Sequence, residues 1–200
     1  MFIYDSSSNS FPTWGIVIIV VVAFLLFIGL IFLIWYISTV NKIRKLGVKV
    51  DESESGIDVA LTKRFDLLTK EVAVVKGYAK HELETLEKVI SMRQPAKGSS
   101  MKEKAEFSDE MTKVFDSINV VRESYPELKA NQNFLMLQNQ VFDVEEQLQA
   151  SRRLYNSNVT TFNQTIITFP NSIVANKIGA TKRDFFEAEV SKREDVKIEF

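Results

Sequence analysis

The chain has 200 residues, with 25 Lys and Arg against 26 Asp and Glu, one His and no Cys, for a formal net charge of −1. So even a balance excludes bulk nucleic-acid binding, which needs a basic surplus to displace counterions. The missing cysteines exclude disulfides, thiol catalysis and thiolate metal sites, and the length suffices for one core of ordinary size.

The first 13 residues read as a leader whose only charge is Asp5. From Ser6 to Asn41 there is no Asp, Glu, Lys or Arg, and Trp14 to Tyr36 reads WGIVIIVVVAFLLFIGLIFLIWY. At about 1.5 Å rise per residue that run makes a helix of roughly 34 Å, enough to cross a hydrocarbon core of about 30 Å. Trp14 at one end and Trp35 with Tyr36 at the other place amphipathic rings at both headgroup layers. A cleaved signal peptide would need a basic leader and a shorter apolar core, so residues 14–39 are expected to be a retained transmembrane helix. Lys42, Arg44, Lys45 and Lys49 follow the span and no Lys or Arg precedes it. That asymmetry predicts a single-pass protein of the cell membrane, with its N-terminus outside and residues 42–200 cytoplasmic.

Gly47 and Ser53–Gly56 mark residues 40–56 as a juxtamembrane link, and residues 57–179 as the body of the fold. Leu61, Leu68, Val75 and Val89 recur at seven, interrupted by Glu82, with Phe65, Val72, Ala79 and Leu86 beside them, which is one face of a long helix. QPAKGSS (94–100) is a loop, and Ser100 with Glu103 forms a capping box for the next helix. There Phe107, Val114 and Val121 repeat at seven beside Met111, Ile118 and Tyr125. A break is expected near Tyr125, because Pro126 suits the first turn of a new helix. From Pro126 to Phe169 two sets recur at seven: Leu128, Leu135 and Phe142, and Val141, Leu148, Tyr155, Phe162 and Phe169. They predict one helix of roughly 66 Å, stopped by Pro170. A short helix from Asn171 to Ile178, closed by Gly179, follows, and residues 180–200 form a C-terminal tail that could end in a short strand or be unstructured. The fold class is all-α: a single N-terminal transmembrane helix followed by an antiparallel helical bundle of long helices. Leu68, Val75, Leu135 and Phe162 are its expected core.

Catalytic signals are absent. His81 stands alone with Glu84 and cannot close a metal site. Serines cluster in loops or the leader, and no glycine-rich loop could cradle phosphate, since Gly77 lies within a helical stripe where helix packing is its simplest role. No metal, cofactor or catalytic residue is predicted. The amides Asn131, Gln132 and Asn133, and Gln138, Asn139 and Gln140, would fix helix register if buried and offer a neutral binding surface if exposed. Asp58, Lys63, Arg64, Asp66 and Lys76 read as a solvated helix face.

IDVALTKRFDLLTKEVAVVKGYAKHELETLEKV (57–89) resembles the signature of the LemA family, and YPELKANQNFLMLQNQ (125–140) is a second match. Residues 150–153, Tyr155 with Asn156, and FPNSIVANKIG (169–179) are similar to a third block in the right order. The resemblance implies an all-helical cytoplasmic bundle behind one membrane anchor, in a family found mainly in bacteria, with no established enzymatic activity. Thr69 departs from the family's usual Pro. With an anchor, a bundle and no catalytic constellation, the expected role is a membrane-anchored scaffold or adaptor that recruits a protein partner at the cytoplasmic face. A self-assembling structural protein, with the chain a homo-oligomer, is the second reading and an enzyme the last. Arg64, Tyr78, His81 and Glu82 with Tyr125, Lys129, Asn131 and Asn139 are the candidate partner-binding residues, forming one face if their helices are neighbours.

Overall fold

A computed structural model of the chain describes residues 13–78, 92, 94–96 and 98–187. All regular structure among them is helical: α1 (Thr13–Tyr78), α2 (Met101–Ser124), α3 (Pro126–Lys129), α4 (Gln132–Ile167) and α5 (Asn171–Lys177). The all-α bundle behind a long apolar helix is therefore as the sequence predicts.

The 66 residues of α1 form one uninterrupted helix. The stretch read as a link, 40–56, is helical throughout, and Ile43, Val50 and Ser53 are buried in it. Gly47 and Gly56 are tolerated because α4 lies alongside: a Cβ added to Gly47 would stand 3.7 Å from Phe162 Cε2, and one on Gly56 would stand 3.8 Å from Ser151 Oγ. The Ser53 hydroxyl donates to the carbonyls of Lys49 (2.9 Å) and Val50 (2.9 Å), so its buried polar group is satisfied within the helix it was expected to break. Gly77 has open space around it among the described residues, and no packing contact explains it. Thr69 closes its hydroxyl onto Phe65 O (2.9 Å) within an unbroken helix.

The α2 helix opens on the expected capping box. Glu103 N donates to Ser100 Oγ (3.2 Å), and Ser100 N donates to Glu103 Oε2 (2.9 Å). It runs parallel to α1, since Lys104 faces Glu54 and Asp58 while Thr112 faces Arg64. The α4 helix runs antiparallel to both: successive pairs with α1 are Gly47–Phe162, Gly56–Ser151, Arg64–Glu145 and Tyr78–Asn131.

Pro126 opens a new helix as expected, but α3 lasts one turn. The chain breaks again at Asn131, whose side-chain oxygen caps α4 by accepting from Phe134 N (3.0 Å). This second break corrects the single long helix. It shifts the phase, so the set begun by Leu128 does not continue inward: Leu135 is 43 % exposed and Phe142 65 %, while Phe169 lies beyond the end of α4 at 76 %. The residues of α4 that are buried at intervals of seven are Phe134, Val141, Leu148, Tyr155 and Phe162. Leu68, Val75 and Phe162 are buried as expected, and Leu135 is not.

Beyond Gly179, in the left-handed region at φ +70°, residues 180–187 run back along α4 in extended form. Two asparagines seven residues apart hold them. Asn163 exchanges two hydrogen bonds with the backbone of Arg183 (2.9 and 2.9 Å), and Asn156 two with that of Phe186 (3.0 and 2.9 Å). Each amide imitates a strand neighbour, satisfying a backbone N–H and C=O that would otherwise be left beside a helix.

Candidate interaction surface

The predicted partner-binding residues divide between a surface and the interior. Tyr78, Tyr125, Lys129 and Asn131 gather at the end of the bundle farthest from the apolar part of α1, and Asn139 is exposed two turns into α4. Asn131 Nδ2 donates to the Tyr78 hydroxyl (2.7 Å), which ties the described end of α1 to the start of α4. Lys129 Nζ donates to Glu123 Oε2 (2.8 Å), and Arg122 pairs with Glu123 (3.0 Å) while its other nitrogen donates to Gln138 Oε1 (2.6 Å). The bonds from Lys129 and then Arg122 hold the Glu123 carboxyl below the usual carboxylate range. Gln138 continues to Asn119 Oδ1 (3.1 Å), so this amide binds α2 to α4, whereas Asn139 and Gln140 face outward. His81 and Glu82 lie outside the described residues.

Arg64 is no surface anchor. It is 3 % exposed and occupies an interior position among Ile43, Val50, Ile57 and Glu71, each seven residues from the next. Its guanidinium donates to Ser108 O (3.0 Å), Ser108 Oγ (3.1 Å) and Thr112 Oγ1 (2.9 Å), and makes an ion pair with Glu145 (2.9 Å). Burial pulls its pKa below the ordinary value, and the Glu145 and Asp109 carboxylates oppose that shift. Arg152 converges on the same Ser108 hydroxyl from α4 and lies over the Phe186 ring (4.5 Å), a cation–π contact. Lys104, wholly buried, reaches Glu54 (2.8 Å) and Asp58 (2.6 Å) on α1. Burial would lower the Lys104 pKa, but the hydrogen bonds to Asp58 and Glu54 prevail and raise it. Three helices are thus crosslinked by charge: α1 to α2 through Lys104 and Arg64, and α4 to both through Glu145 and Arg152. Such buried ion pairs are expensive to desolvate and only one pairing satisfies them, so their best physical role is to fix register.

This layer was not foreseen from the sequence, although a signal exists. Continuing the spacing of seven through charged positions picks out Arg64 and Glu71 after Ile57, Lys104 before Met111 and Ile118, and Glu145 and Arg152 before Val159 and Ile166. Glu71 is the outlier. It is fully buried, neither carboxylate oxygen has a hydrogen-bond partner among the described residues, and burial raises its pKa to about 7 despite the opposing charge of Arg122. Burial also pushes the Tyr155 hydroxyl up to about 12 while it donates to Asp184 O (2.9 Å).

No group of three or more His, Cys, Asp or Glu side chains among the described residues could hold a metal ion. The arrangement of the described residues crosslinks helices and presents a polar, aromatic end.

These features define an all-α bundle protein carrying one N-terminal helix long and apolar enough to cross a membrane. The model of the LemA family matches residues 53–200, and the chain belongs to that family. It is 26% identical over 194 residues to Protein LemA of Metamycoplasma hominis, covering 96% of this chain and 88% of that one. The family is not a known enzyme family. Arg152, Tyr155 and Asn156, which lie in the third resembling block, have a visible structural role here, since together with Asn163 they hold the tail.

Proposed function

We propose that the chain is a single-pass, membrane-anchored helical scaffold without enzymatic activity, which recruits a protein partner at the cytoplasmic face of the membrane. The observation that carries this reading is the continuity of α1. One helix is bare and apolar from Trp14 to Ile34 and becomes a packed bundle member from Thr39 onward. No flexible joint intervenes, so the helix holds its bundle at a fixed angle to whatever its apolar part is embedded in. The end farthest from the anchor presents Tyr78, Tyr125, Lys129 and Asn139, and aromatic and long polar side chains are the usual anchors of protein interfaces. The basic flank of the span favours the cytoplasm for this domain.

A photocrosslinking residue at position 139 of the full chain in cells should capture a partner, and Tyr78→Ala with Lys129→Ala should lower the yield while helical circular dichroism is unchanged. Capture of only a second copy of this chain would replace recruitment by self-assembly. Unchanged yield in the double variant would remove this end of the bundle as the contact. A reporter active only outside the cytoplasm should be silent after Phe200 and active before Met1; the opposite pair would invert the topology.

A further inference from the structure

We propose that the corner between α4 and α5 is a second membrane contact, seating Ile167, Phe169 and Ile173 in the headgroup layer of the leaflet that α1 leaves at Tyr36. The inference rests on reading residues 14–39 as the transmembrane helix, with the apolar run ending at Tyr36.

Depth is the first argument. Trp35 and Tyr36 end the apolar run, where interfacial aromatics belong. Lys177, the last residue of α5, has its ammonium 5.6 Å from the centre of the Tyr36 ring, so α5 ends level with the edge of the span. On the other side of the corner, Phe162 lies against Gly47. Five residues further along the antiparallel α4, Ile167 comes level with about Lys42, roughly 9 Å beyond Tyr36 at 1.5 Å per residue. The corner therefore occupies the few ångströms above the hydrocarbon edge, the thickness of a headgroup layer.

Its surface fits that place. Ile167, Phe169 and Ile173 are 56 %, 76 % and 59 % exposed, although Val174 and Ala175 beside them are buried. The corner thus buries one apolar face in the bundle and turns a second one outward.

Charge is the second argument, and it is independent of the first. Between Ile37 and Val50 on α1 the charged residues are Lys42, Arg44, Lys45 and Lys49, all exposed; between Leu154 and Arg183 they are Lys177, Lys182 and Arg183, the last of which is paired with Asp51 (3.0 Å). Neither stretch contains an acidic side chain, and the first carboxylates beyond them, Asp51 and Asp184, lie farther from the span. Carboxylates are plentiful elsewhere among the described residues of the bundle, so this end, through Lys42, Arg44, Lys45, Lys49, Lys177 and Lys182, complements an anionic lipid surface.

The test uses the full chain in vesicles of phosphatidylcholine and phosphatidylglycerol, with lipids brominated near the top of the acyl chain. In a background of Trp14→Phe and Trp35→Phe, a single tryptophan is placed by Phe169→Trp or, separately, by Ile173→Trp. Each should be quenched by the brominated lipid as strongly as the native Trp35 alone and shielded from aqueous iodide. Quenching by iodide but not by lipid at both positions would overturn the proposal. Shielding from both quenchers would also overturn it, since a second copy of the chain would then cover the corner. A Phe24→Trp control reads the span by itself: strong lipid quenching there with none at 169 and 173 refutes only the corner, whereas none at position 24 refutes the anchor.

Discussion

The two ends of the bundle solve the same packing problem with different chemistry. Near the bare apolar part of α1, the interior is uncharged: Ile43 and Val50 on α1 meet Val159, Phe162 and Ile166 on α4, with only the hydroxyls of Thr39 and Ser53 buried beside them, and the described α4 and α5 residues from Leu154 to Asn176 carry no charge. Farther along, the same repeat of seven places Arg64 and Glu71 on α1, Lys104 and Ser108 on α2, and Glu145 and Arg152 on α4. An apolar interface stabilises contact but is permissive about sliding by a turn. A buried guanidinium with several oriented acceptors is satisfied in one alignment only. The comparison assigns cohesion to the proximal end and register to the distal end.

That assignment can be broken most sharply at Arg64. Arg64→Ala removes one partner of a buried network and leaves the carbonyl and hydroxyl of Ser108, Thr112 and Glu145 to be resatisfied, so urea unfolding should show a loss of about 3 to 5 kcal/mol. Phe162→Ala at the apolar end should cost a similar 3 to 5 kcal/mol through a cavity, while Phe142→Ala on the exposed face of α4 should cost under about 0.5. Equal effects of the two phenylalanine changes would show that the phase of α4 is misplaced. The two mechanisms separate by shape: Arg64→Met, which keeps volume without charge, should recover part of the loss, whereas no polar replacement should rescue Phe162.

The third prediction concerns the bare part of α1. Leu26→Lys should weaken membrane insertion by about 3 to 4 kcal/mol, read as the membrane-bound fraction after expression. The unfolding midpoint of the bundle should not move, because Leu26 touches none of it.

Glu71 gives a smaller effect with a defined pH window. Its pKa rises from 4.5 to about 7 in the fold because burial disfavours the carboxylate. Between those values the native state holds more protons than the unfolded chain, so stability from this group is complete below the lower value and falls as pH rises through the upper one. Glu71→Gln should flatten that slope and raise stability at pH 8 by about 1 to 3 kcal/mol, measured as urea midpoints across pH 4 to 8. A variant that is less stable at pH 8 would mean that the carboxylate has a partner and that this position is part of the register network.

The apolar half of the molecule was legible without coordinates. Twenty-odd uncharged residues with aromatic ends make a helix long and apolar enough to cross a membrane, and the capping box at Ser100 and the helix start at Pro126 follow from local backbone chemistry that no tertiary contact needed to supply. Three of four expected core residues followed from spacing, and Leu135 failed because Asn131 can either continue a helix or cap a new one. Which it does was settled by its fit between Tyr78 and Phe134, a contact across 53 residues. The same limit hid the charged layer. A lysine or arginine at an interior spacing reads as surface until acceptors on other helices are seen to meet it, because desolvating a charge is affordable only when its partners are already in place. The sequence by itself therefore determined the all-helical class, the long apolar N-terminal stretch and the family, all of which depend on neighbours within a turn or two or on long matching runs. Only the tertiary structure decided the parallel course of α2, the burial of Arg64 and Lys104, and the docking of residues 180–187 onto Asn156 and Asn163, because each depends on a partner far away along the chain.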